Sequence, residues 1–221
     1  MTRIITWTFV AALAGAMGAR DAHAGEARGR VVCLAPMAPF DRDLLAEAGK
    51  GIQRLYGLDV RLLPARTPPR AAWYEPRRRW RAERVIESLQ GDAGPGTGCD
   101  HVIAFTSDDI STTKGAIGDW GIFGLGEIGG RAAVVSTFRL GRGGVSRALL
   151  RERTVKVVNH ELGHDLGLFH CPAPRCLMDD AEGSIRTVDR EDGTLCDACR
   201  ARLARRGLTV GPDAGRVDGS R

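Results

Sequence analysis

His160 and His164 stand four residues apart, with Glu161 directly after the first, in a stretch over residues 147–166 whose apolar Val155, Val158, Leu162 and Leu166 recur at helical spacing. At about 100° per residue those four form a core face, and the two imidazoles sit together on the opposite side with Glu161 beside them. Two imidazoles one turn apart can grip a single metal ion, and the neighbouring carboxylate can reach a water on it, which is the arrangement that activates water for hydrolysis. Gly167 can adopt a backbone conformation that side-chain-bearing residues resist, so the helix can end there and return His170 to the same metal. Three of the five histidines lie in the resulting string, His-Glu-Leu-Gly-His-Asp-Leu-Gly-Leu-Phe-His-Cys.

The cysteines continue the pattern. Cys171 follows His170, Cys176 comes after four residues, Met178 two positions later, and Cys196-Asp197-Ala198-Cys199 after seventeen more. This string resembles the archaemetzincin family, whose pattern HExxHxxGxxHCx4CxMx17CxxC is met at every fixed position, over residues 100–205 well and over residues 30–95 weakly. The resemblance implies a zinc metallopeptidase acting on peptide or protein substrates with two Zn2+ per chain. It makes His160, His164 and His170 the ligands of a catalytic zinc, Glu161 the general base and Met178 the apolar floor beneath the imidazoles. Cys171, Cys176, Cys196 and Cys199 become ligands of a structural zinc, and Ile122, Phe123, Gly124 and Leu125 the antiparallel edge strand along which substrate lies. The chemistry agrees, since four thiolates close a tetrahedral site whereas three histidines leave a position for water. A protein of another class, an exported zinc-binding or interaction protein using this scaffold with little proteolysis, is compatible with the same ligands. Cys196-x-x-Cys199 taken alone also matches a redox pair, without the strand and helix context that a thioredoxin-like motif requires.

Residues 1–24 read as a Sec-type signal peptide: Arg3, an apolar run over residues 4–19, then the cleavage pattern Ala22-His23-Ala24. The run is shorter than the ~20 apolar residues a spanning helix needs, and a tethered form is expected only if it stays uncleaved. The expected product is an exported, periplasmic or secreted, monomer without a membrane contact. In an oxidising compartment the four motif cysteines could instead pair as disulfides. Cys33 and Cys99 lie outside the motif, and a bridge between them suits an exported chain. Against it, pairing the strand at residues 31–34 with that at 102–105 leaves the two several residues apart, beyond the ~7 Å Cα limit for a disulfide.

The remaining sequence supplies the elements that must hold these side chains. With 221 residues, 43% hydrophobic, 27% charged and a net charge of +5, the chain reads as one globular domain over residues 25–206 with a flexible tail at 207–221. A strand at 30–34, a helix at 41–56 capped by Asp41 and ended by Gly57, and a strand at 58–63 make a parallel βαβ unit. Residues 64–81, with four prolines and five arginines from Arg70 to Arg81, read as an extended connection turning into an arginine-rich helix start that continues through residues 82–89. Trp73, Tyr74 and Trp80 among those arginines invite a nucleic-acid reading of residues 70–84, but no nucleic-acid fold signature accompanies them and no such partner is expected. Strands at 101–105, 122–125 and 132–136 and a final helix at 196–206 complete the pattern. The expected fold is α/β: a compact metzincin-like domain with a mixed five-stranded sheet, an active-site helix beneath it and a small zinc-stapled C-terminal subdomain.

Overall fold

The computed structural model describes residues 30–37 and 39–211, so the leader at 1–24 and most of the tail lie outside the described residues. In chain order the elements are β1 (Val31–Pro36), α1 (Arg42–Tyr56), β2 (Asp59–Leu62), β3 (Trp73–Tyr74), β4 (Arg79–Arg81), α2 (Ala82–Leu89), β5 (His101–Thr106), β6 (Ile110–Lys114), β7 (Ile117–Ile122), β8 (Gly124–Gly126), β9 (Ala132–Ser136), α3 (Arg147–Asp165), α4 (Ile185–Arg190) and α5 (Asp197–Ala204).

The main sheet has the order β2-β1-β5-β9-β8, with β8 antiparallel to β9 and the other pairings parallel, as the strand pattern predicts. Its central strands are apolar on both faces because helices cover both. Val32, Leu34, Ile103, Phe105 and Val135 pack with Leu45, Ile52 and Leu55 of α1 and Val158 and Leu162 of α3. Cys33, Ala35, Val102, Ala104 and Val134 face α2 through Val85, Ile86 and Leu89. Asp41 caps α1 by accepting from the backbone N–H of Asp43 and Leu44, and Gly57 ends it at φ 66°. Arg147 at the start of α3 pairs with Asp41 and Asp43, locking the two helix starts together.

Several expectations are corrected. The helix at residues 82–89 does not reach back into the arginine run, which alternates short 3-10 turns at Arg70–Ala72 and Glu75–Arg77 with the β3–β4 ribbon, where Trp73 pairs with Trp80. Two of the run's arginines turn inward to carboxylates, Arg79, which is buried and pairs with Asp109 and Asp119, and Arg81, which reaches Glu83 and Asp119, while Arg70, Arg77 and Arg78 stay exposed. A second sheet, β3-β4-β6-β7, results, and sequence patterning did not reveal it. The edge strand expected at residues 122–125 is divided: Ile122 closes β7 in this second sheet, Phe123 turns inward to the core, and β8 begins at Gly124.

Cys33 and Cys99 are joined in a disulfide with Cα atoms 5.7 Å apart, so the objection drawn from strand register fails. Cys33 does lie opposite Val102, but the chain turns at Gly98, φ 75°, and the Asp100 N–H donates to the Val31 carbonyl, which brings Cys99 back beneath β1. The tail is also shorter than expected, since Val210 is buried against the core.

Candidate metal centres

Ser146 caps α3 by accepting from the Leu149 N–H, and the helix runs unbroken through both histidines of its last turns. Gly167, at φ 91°, then reverses the chain, with its N–H bonded to the His164 carbonyl and that of Leu168 to the Gly163 carbonyl. The reversal returns His170, so the three rings form a triangle with centroids 4.7, 5.4 and 4.8 Å apart. The face carrying them is not a solvent face, contrary to the simple two-sided wheel. From Arg153 to Asp165 almost every residue is buried, because β8 and α4 cover the side away from α1.

Each ring is fixed through its Nδ1. His160 donates to the Leu177 carbonyl at 2.7 Å, His164 to the Leu168 carbonyl at 2.9 Å, and His170 lies 3.3 Å from an Asp180 carboxylate oxygen. A carbonyl offers no proton, so for His160 and His164 the proton sits on Nδ1 and Nε2 carries a bare lone pair. Those two Nε2 atoms face each other across 3.1 Å. Two lone pairs at that distance repel unless a cation lies between them, and protonation does not supply it: burial, then the charge of His164, holds the His160 imidazole down at about 3, and burial lowers His164 too. The donor set fits a metal ion whose ligands are oriented by carbonyl and carboxylate partners.

Glu161 is buried beside this triangle under β8. Its approach depends on two glycines, since a Cβ on Gly124 would come within 2.6 Å of the Glu161 carboxylate and one on Gly126 within 2.4 Å of its carbonyl oxygen. Burial, then the charge of Asp165, pushes the Glu161 carboxyl up to about 8, against hydrogen bonding from the Gly126 backbone. Met178 is fully buried, and Gly163 has to be glycine to admit it, because a Cβ there would lie 2.6 Å from the Met178 sulfur.

The four motif cysteines converge as free thiols. Cys171 and Cys196 sulfurs are 3.6 Å apart, those of Cys176 and Cys199 3.9 Å, and all four lie within 4.8 Å of one another. A zinc tetrahedron with bonds of about 2.3 Å has sulfur–sulfur edges of about 3.8 Å. The cluster therefore has the size of a closed zinc site. The Cys171 N–H donates to the Met178 carbonyl, tying this knot to the histidine triangle.

Both centres bear on what the chain resembles. Residues 113–205 match the model of peptidase family M54. An archaemetzincin of Halobacterium salinarum is 32% identical over 176 residues, which is 76% of this chain and 96% of the relative. The chain belongs to the archaemetzincin family. It is thus a zinc metallopeptidase by kinship. An archaemetzincin of Methanopyrus kandleri is 36% identical over 137 residues, 62% of this chain and 73% of the relative. The crystal structure of a Methanopyrus kandleri archaemetzincin superposes with a TM-score of 0.70 at 28% identity, covering 82% of this chain and 97% of that one. That of an Archaeoglobus fulgidus archaemetzincin complexed with malonate gives 0.66 at 26% identity, covering 78% and 99%.

In this archaemetzincin the histidines open on a cleft of about 570 Å3 between β8 and the segment that follows Met178. Thr112, Lys114 and Trp120 of the second sheet line its outer part, so the sheet unseen in the sequence forms a wall of the site. Of the residues expected along the substrate, Gly124 and Leu125 lie on the main-sheet edge, while Ile122 and Phe123 line the same cleft from just before it. Sequence reasoning missed Asp180, Gly124 and Gly126 as packing positions, and the Leu168 and Leu177 carbonyls; only the position of Asp180, two residues after Met178, carried a signal.

Proposed function

We propose that the protein hydrolyses peptide bonds in an extended chain laid along the free edge of β8, with His160, His164 and His170 holding the catalytic zinc and Glu161 acting as general base. Cys171, Cys176, Cys196 and Cys199 hold a second, structural zinc. The observation that carries this reading is the pair of bare imidazole nitrogens 3.1 Å apart with the buried Glu161 carboxyl beside them. When bound, zinc supplies the Lewis acidity that makes water a nucleophile near neutral pH and polarises a carbonyl. Glu161 takes the proton of the attacking water and delivers it to the leaving amine. Because β8 ends the sheet, its outward backbone groups can pair with a substrate's main chain, which gives affinity with little sequence demand. Met178 and the Cys knot hold His160 and His170 in register from below.

The test combines metal content with turnover. The purified protein is expected to carry two zinc ions per chain and His164→Ala one, with hydrolysis of short or unfolded peptides lost on chelation. Two ions with no hydrolysis of any peptide would leave a zinc-binding protein on this scaffold, and one ion falling to none would remove the structural site.

We also propose that residues 1–24 are removed on export, leaving a catalytic domain that starts at residue 25 and includes the buried Val210. The pattern Ala22-His23-Ala24 supports this, and so does the Cys33–Cys99 disulfide, since disulfides persist in oxidising compartments. Intact mass of protein from the exported fraction is expected to begin at Gly25 with that bridge oxidised. A chain starting at Met1, or reduced Cys33 and Cys99, would overturn it.

A further inference from the structure

The cleft continues past His160 into a recess between α3 and α4, bounded by Lys156, Val157, Val188 and Glu191. Two charged side chains are buried there, and they differ in how they are matched. Lys156 has its ammonium donating to the Val188 carbonyl at 3.0 Å and pairing with Glu152 at 2.8 Å, so its charge is answered locally. Glu191 accepts from the Gly193 N–H through Oε2 at 3.0 Å, and no hydrogen-bond partner is found for Oε1 among the described residues. Burial disfavours the charged form of this carboxyl, more than the neighbouring Lys156 can offset. Oε1 is not one of the fully enclosed polar atoms without a partner, so it meets the water of the cleft that Glu191 lines, and a donor on a bound ligand can take that water's place.

The recess can be placed along the substrate. Gly129, just beyond β8, bonds to the His164 carbonyl, whereas Gly124 at the start of β8 abuts the Glu161 side chain. So β8 and α3 run in the same sense, and Val157, one turn before His160, lies toward the Ile122 end. A peptide added antiparallel to β8 brings its C-terminal half to that end.

We propose that Glu191 is the specificity residue of the subsite receiving the side chain that follows the cleaved bond, and that this subsite selects lysine or arginine. The inference rests on the peptidase reading. A long basic side chain lays its methylenes along Val157 and Val188 and brings its charged head to Oε1. The arriving cation favours the charged form of the carboxyl that burial otherwise disfavours, whereas an acidic side chain adds a second group that burial keeps from ionising and an apolar one displaces the water at Oε1 without supplying a donor.

The test uses peptides differing only at that position, as Arg, Lys, Leu or Glu. Wild-type kcat/KM is expected to favour Arg and Lys over Leu by roughly tenfold or more, the scale of a hydrogen bond to a charged group. Glu191→Gln, which keeps an acceptor for Gly193, is expected to collapse that ratio. A Leu or Glu preference in the wild type, or a ratio unchanged in Glu191→Gln as every rate falls together, would overturn the proposal. Calorimetric binding of the same peptides to Glu161→Gln separates the two readings. Selective binding of the Arg peptide without wild-type hydrolysis overturns the peptidase reading alone, whereas hydrolysis without a basic preference overturns this one alone.

Discussion

Glu161→Gln is expected to retain zinc on His160, His164 and His170 while peptide hydrolysis falls by roughly a thousandfold, the middle of the range for losing a positioned general base. The substitution is nearly isosteric, so the close fit against Gly124 survives and the Gly126 backbone still finds an acceptor. The rings stay in place because their Nδ1 partners are the Leu168 and Leu177 carbonyls and Asp180, none of which involves Glu161. What disappears is the ability to take a proton from water and return it to the departing amine. His164→Ala must behave differently, losing metal and turnover together. Zinc analysis beside kcat/KM on one peptide separates the cases: retained turnover in Glu161→Gln places the base elsewhere, and joint loss of zinc makes Glu161 a structural support of the ligands.

How far the sequence revealed this arrangement follows from the range of the forces involved. The histidine string is local, governed by 3.6-residue periodicity and one glycine turn, and it reads directly from residues 160–170. The strands at Val31–Pro36, His101–Thr106 and Ala132–Ser136 were legible as continuous apolar runs, because helices bury both of their faces. The second sheet was not. Its members β3 and β4 have two and three residues, too few for any period to register. Long-range pairs hold it instead, Arg79 with Asp119 at 3.2 Å and Arg139 with Asp109 at 2.6 Å, between residues that nothing in the sequence connects. The inward turn of Arg79 and Arg81 was hidden for the same reason: their partners Asp109 and Asp119 lie just before β6 and on β7. Glycines at 124, 126 and 163 were equally opaque, since each answers to a neighbour distant in the chain or one turn away in three dimensions. The Cys33–Cys99 bridge was misjudged because strand register alone was weighed, without the turn at Gly98.

Cys199→Ser is expected to remove the structural zinc and, unlike an ordinary buried substitution, to disable the catalytic centre, although Cys199 follows His170 by 29 residues. Cys199 lies in the first turn of the last helix, and its sulfur faces that of Cys176 at 3.9 Å, so the knot joins α5 to the segment just before Met178. Cys171 at the other corner follows His170 directly and bonds through its N–H to the Met178 carbonyl. Apparent binding energies of structural zinc in small domains are about 10–16 kcal/mol, comparable with the 5–15 kcal/mol net stability of a typical domain. Without the ion, residues 171–199 keep the buried side chains of Leu177, Val188 and Leu195 and the Arg153–Asp189 pair, but α4 has only six residues and the stretch around the cysteines lacks regular structure, so the loop carrying His170 and Met178 loses its cross-link. His170 and Met178 then lose their fixed positions, and the three-histidine site loses a ligand and its floor. The variant is expected to carry less than one zinc per chain and to be cut by an added protease within residues 171–199, whereas Cys33→Ser/Cys99→Ser keeps both ions. A variant that holds one zinc and full turnover would show that the main sheet and α3 position His170 unaided, and that the cysteine knot serves only to fasten the C-terminal helix.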